Sequence, residues 1–167
     1  MATHTRRIAS VFAQVLALAL IGAAFFIRTP QVSGLSMEPR IHPGEFVLIN
    51  TLAYRLAPIR RGDIVAFRHD SPTPETYIKR VVGLAGDRIA VEHGQVSIDG
   101  KPLPEAYVRY RDERSAPAVT VPPGALYVLG DNRANSDDSR DWGVLRQGDI
   151  VGKALASLWP LQELAVP

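Results

Sequence analysis

The feature that most limits what this chain can fold into is an uncharged, apolar run close to its N-terminus. Residues 8–27 read IASVFAQVLALALIGAAFFI, with only Ser10 and Gln14 as polar interruptions. A helix of this length spans about 30 Å, which is the thickness of the hydrocarbon core of a bilayer. The run therefore predicts a transmembrane helix over residues 8–27, preceded by a short tail of residues 1–7.

A cleavable signal peptide is the alternative interpretation of this run. Such peptides have an apolar region of about 7–15 residues and a polar stretch before the cleavage site. The run here is longer and continues directly into Phe25, Phe26 and Ile27, although the GAA of residues 22–24 resembles a cleavage site. The length of the run favours a helix that stays in the membrane.

The charges beside the run predict its orientation. Arg6 and Arg7 come just before it, and only the short tail lies on that side. By the positive-inside rule, the N-terminus of this single-pass chain lies in the cytoplasm and residues 28–167 lie on the extracytoplasmic side of the inner (cytoplasmic) membrane. The stretch between Ile27 and Ser36 reaches at most about 28 Å when extended. Ser36 is therefore expected close to the membrane surface.

The rest of the chain has the pattern of an all-β domain. Short apolar runs are separated by turns, and most of the 13 prolines and 13 glycines lie at these joints. Asp99-Gly100 predicts a hairpin turn, and LAYRLAP predicts one short helix. A small inserted subdomain is placed at about residues 88–123 within a domain of residues 28–167. The predicted strands read EFVLIN, DIVAF, TYIKRVVG, DRIAVE, QVSID, ALYVLGD and DIVGKALASLWPL.

The composition argues against several kinds of partner and chemistry. The net charge is only +2, and no block of basic residues with interleaved aromatics indicates nucleic acid. The chain has no cysteine, which removes disulfides, thiolate metal sites and a cysteine nucleophile. The four histidines, at positions 4, 42, 69 and 93, show no metal-binding spacing and weaken any Ser-His-Asp scheme. No metal and no cofactor are expected.

A lysine interrupts one of the predicted strands. In YIKRVVGLAGD, residues 77–87, strand alternation places Tyr77, Lys79 and Val81 on one face and Arg80 on the other. An edge strand whose lysine reaches to water explains this pattern. A lysine held in an apolar slot, where it loses its proton and acts as a base, is the sharper alternative. The strand alone leaves both interpretations open.

Two further clusters contain reactive or charged side chains. Ser36 lies in the turn SGLSMEP, and residues 130–143 read GDNRANSDDSRDWG after an apolar strand. Each cluster alone is also typical of an ordinary turn or solvated loop. Together, the motifs SMxP, KRVVGLxGD and GDNRxNSxDSRxWG follow the apolar run in this order. From that run to about Ala156, the chain resembles bacterial type I signal peptidases, a family of membrane-bound serine proteases.

The resemblance implies a fold, an activity and partners. The implied fold is mostly β, with an N-terminal transmembrane helix followed by a signal-peptidase-like catalytic domain that has a small inserted subdomain. The implied activity is endopeptidase removal of N-terminal signal peptides by a Ser/Lys dyad at the outer surface of the cytoplasmic membrane. The expected partners are the signal peptides of exported preproteins and the lipid bilayer, and the chain is expected to be a monomer.

Individual residues match the family's motifs. Ser36 matches the nucleophile and Lys79 the general base, which explains a lysine within an apolar strand. Ser136 matches the residue that orients the lysine through a hydrogen bond. The resemblance implies packing or ion-pair roles for the remaining residues, which are Met37, Asp138 with Arg140, and Asp131 with Arg80.

One position departs from part of the family. Gly34 stands where some members have a serine that helps to bind the oxyanion, so this role would pass to backbone N–H groups, chiefly that of Ser36. Two other functions compete with the resemblance. A self-cleaving repressor-type peptidase lacks the apolar run and the loop of residues 130–143. A membrane-tethered domain that only binds a partner has no need of Ser36, Lys79 and Ser136 together.

Overall fold

The computed structural model describes residues 7, 11–18, 22, 25–69 and 75–158. Within the apolar run, residues 11–18 are helical, whereas residues 8–10, 19–21, 23 and 24 lie outside the described part. No helix among the described residues has both the length and the apolarity that crossing a bilayer requires.

The prediction that the apolar helix continues to residue 27 is wrong. Phe25 and Phe26 form a turn, and Ile27 already belongs to a β-strand, β1 (Ile27–Arg28). This strand pairs with β2 (Phe46–Asn50) in the register Ile27↔Asn50. The backbone N–H and the hydroxyl of Thr51 both donate hydrogen bonds to the carbonyl of Phe26. These bonds attach the chain to the β-domain before residue 28, which explains why an apolar sequence ends its helix early.

Eleven strands in the described part of the chain form two antiparallel sheets. The seven-stranded sheet has the order β1-β2-β11-β3-β4-β9-β10, and the four-stranded sheet has the order β7-β6-β5-β8. The mostly β expectation is confirmed. The remaining strands are β2 (Phe46–Asn50), β3 (Ile64–Phe67), β4 (Tyr77–Gly83), β5 (Arg88–Glu92), β6 (Gln95–Ile98), β7 (Lys101–Pro102), β8 (Ala116–Thr120), β9 (Ala125–Leu129), β10 (Leu145–Arg146) and β11 (Ile150–Leu158).

Two local predictions are confirmed. The LAYRLAP segment contains a single helical turn, α1 (Ala53–Leu56). Asp99 and Gly100 form a two-residue hairpin between β6 and β7, with Ile98 paired to Lys101. Their φ angles of 51° and 76° are both positive, as the turn that matches the twist of a tight hairpin requires. A second short helix, α2 (Ser139–Trp142), follows within the polar loop after β9.

The central strand β4 positions the candidate site. It lies between β3 and β9, and its residues from Lys79 onward are buried. Val81 packs with Val65 and Phe67 of β3, whereas Val82 packs with residues of the four-stranded sheet. Apolar contacts therefore fix β4 on both faces, and polar side chains on this strand have few conformations left to them.

Candidate active site

Ser36 lies in a turn that is fixed by the core and by the distant polar loop. The side chain of the next residue, Met37, is buried with Ile41 and Val47. The Ile41 N–H donates to the carbonyl of Met37 at 3.0 Å. The carbonyl of Ser36 itself accepts a hydrogen bond from the backbone N–H of Asn132 at 2.9 Å. The turn and the loop after β9 therefore hold the Ser36 backbone from two sides.

Lys79 reaches the hydroxyl of Ser36. Its Nζ lies 2.7 Å from Ser36 Oγ, and the lysine is only 4% exposed. Burial lowers the pKa of Lys79 because an ammonium group loses its hydration there; nearby Asp138 and Asp137 oppose this effect, and Arg140 adds to it. The structure therefore brings together a hydroxyl and an amine whose neutral form is favoured relative to a lysine in water.

Arg80, the next residue of β4, forms a buried ion pair with Asp131. Its Nε donates to Asp131 Oδ1 at 2.7 Å, and Nη2 donates to Oδ2. The guanidinium carbon lies 4.2 Å from the centre of the Tyr107 ring, within the range of a cation–π contact. The pairing expected between Arg80 and Asp131 is thus present, and it attaches β4 to the start of the polar loop.

Asp138 and Arg140 form the second expected pair. Arg140 Nε lies 2.8 Å from Asp138 Oδ1, and the two side chains are 3% and 0% exposed. Asp138 also caps the N-terminus of α2 and accepts the N–H of Gly130 at 3.1 Å. Burial raises the pKa of Asp138, but the hydrogen bond and charge of Arg140 outweigh burial and the net pKa is lowered. One carboxylate thus holds both ends of the loop.

The hydrogen bond expected from Ser136 to Lys79 is not formed. Ser136 Oγ is buried, and its contact with the Asp138 carboxylate is among the causes that lower the pKa of that carboxyl. The hydroxyl packs against Gly130, where an added Cβ would lie 2.3 Å from Ser136 Oγ and 2.6 Å from the carbonyl oxygen of Ser36. Ser136 is therefore next to the Ser36 backbone, and its role in orienting Lys79 stays a prediction.

Sequence reasoning missed a buried pair that supports the same loop. Arg133 is almost fully buried and forms a bidentate ion pair with Glu105, in which each carboxylate oxygen accepts one hydrogen bond. Its Nε also donates to the carbonyl of Gly130 at 3.0 Å. Tyr107 donates from its hydroxyl to Glu105 Oε1 at 3.0 Å. An arginine within an otherwise hydrophilic motif gave no signal of burial, and Glu105 lies far away in the sequence.

A second missed group closes the outer side of the loop. Arg140 donates to Asp112 Oδ2 at 2.8 Å. Arg114 donates to the carbonyl of Ser136 at 2.9 Å and also pairs with Asp112 and Asp141. These contacts connect the segment between β7 and β8 to the loop that borders Ser36. The charge of this segment was visible in the sequence, but its partners were not.

The dyad lies at an open groove. The groove has a volume of about 540 Å³ and is lined by the segment of residues 30–37, by residues 75–79 leading into β4, and by Asn135 and Asp137. Its walls include backbone and small side chains around Gly34. A serine hydroxyl beside a buried amine at an open groove is the arrangement of a serine hydrolase.

Comparison with known proteins identifies the family. The chain belongs to the family described as signal peptidase, peptidase S26, whose model matches residues 5–159. It is 38% identical over 148 residues to a signal peptidase I of Bacillus caldolyticus, covering 80% of each chain. It is 37% identical over 156 residues to a probable signal peptidase I-1 of Synechocystis, covering 89% of this chain and 78% of the relative.

A relative from Staphylococcus aureus, named signal peptidase IB, is 31% identical over 157 residues, with 83% of this chain and 81% of the relative covered. The family match and these relatives confirm the resemblance seen in the three motifs, and they make the chain a serine peptidase. The self-cleaving repressor-type alternative is therefore set aside.

Proposed function

We propose that this chain removes N-terminal signal peptides from exported preproteins, with Ser36 as the nucleophile and Lys79 as the general base. The observation that carries this proposal is the 2.7 Å distance between Ser36 Oγ and Lys79 Nζ in a site where burial lowers the pKa of the lysine. A serine hydroxyl is a weak nucleophile until a neighbouring base takes its proton. A neutral amine at hydrogen-bonding distance provides that base.

The first half of the reaction forms an acyl-enzyme. Ser36 Oγ attacks the carbonyl carbon of the scissile peptide bond while its proton passes to Lys79 Nζ. The tetrahedral intermediate then collapses, the C–N bond breaks, and the new ammonium of Lys79 gives its proton to the departing amine of the mature protein. The signal peptide remains attached to Ser36 as an ester.

The second half returns the enzyme to its starting state. A water molecule attacks the ester carbonyl while neutral Lys79 takes one of its protons. The C–Oγ bond breaks, the proton on Nζ returns to Ser36 Oγ, and the signal peptide leaves as a carboxylic acid that releases its remaining proton to solvent. The two side chains therefore act as one unit, and removal of either is expected to abolish turnover.

The oxyanion of each intermediate needs donors that do not move during the reaction. Among the described residues, the N–H of Ser36 donates to no other group, so it is available for this role. Gly34 has open space around its Cα and contributes no hydroxyl. We assign the first oxyanion donor to the Ser36 backbone, which its Asn132 contact holds in place.

The proposal includes a location. The apolar run that precedes Phe25 would anchor the chain in the cytoplasmic membrane, with residues 1–7 in the cytoplasm and the β-domain outside. Exposed apolar side chains support this: Phe25 is 79% exposed where the run joins the domain, and at the other end of β2 the cross-strand neighbours Phe46 and Leu158 are 38% and 47% exposed. Apolar groups exposed in this way mark a membrane or protein contact.

Cleavage of a purified preprotein by the detergent-solubilised full chain tests the proposal. The wild type should release a mature protein with a single new N-terminus, whereas Ser36→Ala and Lys79→Ala should each release none. A preprotein whose residue at position −1 is changed from Ala to Leu should be a poor substrate, because shallow pockets exclude the larger side chain. Binding of the preprotein without cleavage by the wild type would instead support the alternative of a domain that only binds.

A further inference from the structure

A second and larger groove lies at the point where the apolar run enters the β-domain. It has a volume of about 1030 Å³ and shares no lining residue with the groove at Ser36. Its walls come from Phe25 and Phe26 before β1, from the segment containing α1, from the end of β3 and from the turn that begins β11. The peptidase mechanism makes no use of this groove.

Three arginines line the groove from three different elements. Arg28 belongs to β1, Arg55 to α1, and Arg68 follows β3. All three are exposed, and none forms a side-chain hydrogen bond or salt bridge with another described residue. The only acidic residue among the lining residues is Asp149. The groove therefore carries a net positive charge, because three arginines and one carboxylate line it.

This pattern differs from that of three buried arginines of the β-domain. Arg80, Arg133 and Arg140 are each held by a carboxylate and packed beneath the surface. Guanidinium groups match phosphate oxygens well because their N–H groups form two parallel hydrogen bonds. Three guanidinium groups that pair with no described carboxylate thus line one groove, which suits an anionic phosphate group rather than internal support.

The apolar residues of the groove indicate the source of that phosphate. Phe25 is 79% and Phe26 is 38% exposed, and aromatic side chains are enriched at the level of lipid headgroups. The hydrogen bonds from Thr51 to the Phe26 carbonyl fix these residues at the rim of the groove. An occupant with a phosphate at one end and acyl chains at the other satisfies both parts of the lining.

We propose that this arginine groove, lined by Arg28, Arg55 and Arg68, binds the phosphate headgroup of an anionic phospholipid. The inference rests on the membrane anchoring given under the proposed function. A lipid bound there would hold the β-domain at a fixed height on the bilayer. It would thereby orient the Ser36 groove toward a substrate that emerges from the membrane.

Lipid titration of the full chain tests the proposal. The protein in uncharged maltoside micelles would be melted with increasing dihexanoyl phosphatidylglycerol, with dihexanoyl phosphatidylcholine, and with glycerol 3-phosphate. A ligand that binds only the folded state raises Tm with its concentration. Phosphatidylglycerol should raise Tm, and the other two should not. Arg55→Gln/Arg68→Gln should raise the half-saturating phosphatidylglycerol concentration by about tenfold or more.

The controls separate charge, acyl chains and catalysis. Arg88→Gln/Arg109→Gln removes the same charge from exposed positions outside the groove and should respond like the wild type. The single Arg28→Gln variant, in which Arg55 and Arg68 are intact, should also weaken the response to phosphatidylglycerol. Ser36→Ala should keep the full response, so a failure of the peptidase proposal would leave this result unchanged.

Four outcomes would overturn the assignment. An equal response to phosphatidylcholine would mean that only the acyl chains bind. An equal response to glycerol 3-phosphate would indicate a site for a free phosphate ester. A wild-type chain without any response, or a double variant that responds like the wild type, would show that the arginines bind no lipid headgroup.

Discussion

Replacement of Asp138 by alanine is expected to destabilise the β-domain strongly, because this carboxylate has two structural roles. Its ion pair with Arg140 is fully buried, and removal of one partner from a buried pair costs about 3–5 kcal/mol. Arg140 keeps its contact with Asp112 at 2.8 Å, which favours the lower end of that range. Loss of the cap on α2 adds about 1 kcal/mol. The total of about 4 kcal/mol should lower Tm by roughly 10 °C.

The assay is thermal melting of the full chain in detergent, monitored by circular dichroism. Asp137→Ala is the matched control, because the neighbouring side chain is exposed and such changes alter stability by no more than about 0.5 kcal/mol. Activity of Asp138→Ala should fall at temperatures below its Tm as well, since the loop it holds contacts the Ser36 carbonyl. Equal melting of the two variants would refute the buried pair.

The pH dependence has a definite sign. The pKa of Asp138 is lowered in the folded chain, so its contribution to stability is complete above the ordinary aspartate pKa of about 3.9. That contribution disappears as the pH falls through the lower pKa of the folded state. The difference in unfolding free energy between wild type and Asp138→Asn should therefore be constant from neutral pH to about pH 5 and should shrink below about pH 4. A difference independent of pH would contradict the ionised pair.

Three further predictions concern other parts of the chain. Gly130→Ala puts a methyl group 2.6 Å from the carbonyl oxygen of the nucleophile and should reduce kcat by an order of magnitude or more, whereas Gly148→Ala, with open space around it, should leave kcat unchanged. Glu105→Gln leaves a buried guanidinium without its counter-charge and should lower stability by about 3 kcal/mol, whereas Glu92→Gln at an exposed position should stay within about 0.5 kcal/mol in urea unfolding. A chain shortened to begin at Phe25 should fold and cleave preprotein in detergent more slowly than the full chain; a folded but inactive product would show that the preceding residues help to build the site.

Local sequence patterns predicted most of the strands, because a short apolar run bounded by turn residues forms a strand in an antiparallel sheet. The hairpin at Asp99 and Gly100 was also predictable, since only residues that tolerate positive φ form that turn. Strand β8 was not predicted. Its sequence, APAVT, contains a proline and few large apolar residues, and it becomes a strand only because β5 offers it a partner. Ile27 is a similar case, because an apolar residue suits a helix and a strand equally until Asn50 pairs with it.

The candidate site shows the same division between local and long-range information. The motifs marked Ser36 and Lys79, and the pairs Asp138–Arg140 and Arg80–Asp131 followed from the resemblance. The pair of Glu105 with Arg133 did not, because it joins residues that only the three-dimensional fold brings together. The direction of the Ser136 hydroxyl was also beyond prediction, since a serine side chain has several rotamers and its neighbours decide among them.

The pH profile of kcat/KM, measured for the wild type and for Lys79→Arg, tests the Ser/Lys dyad most directly. Burial lowers the pKa of Lys79, and only the neutral amine accepts the proton of Ser36. Activity should therefore be low at acid pH and rise as Lys79 loses its proton, below the ordinary lysine pKa. A histidine base would place the rise at about pH 6–7 and make it depend on His42, His69 or His93.

Lys79→Arg keeps the positive charge but supplies no base, because a guanidinium stays protonated throughout the accessible pH range. The account predicts that this variant is as inactive as Ser36→Ala at every pH, while it still folds and melts cooperatively. Appreciable cleavage of a preprotein by Lys79→Arg would contradict the assignment of Lys79 as the general base.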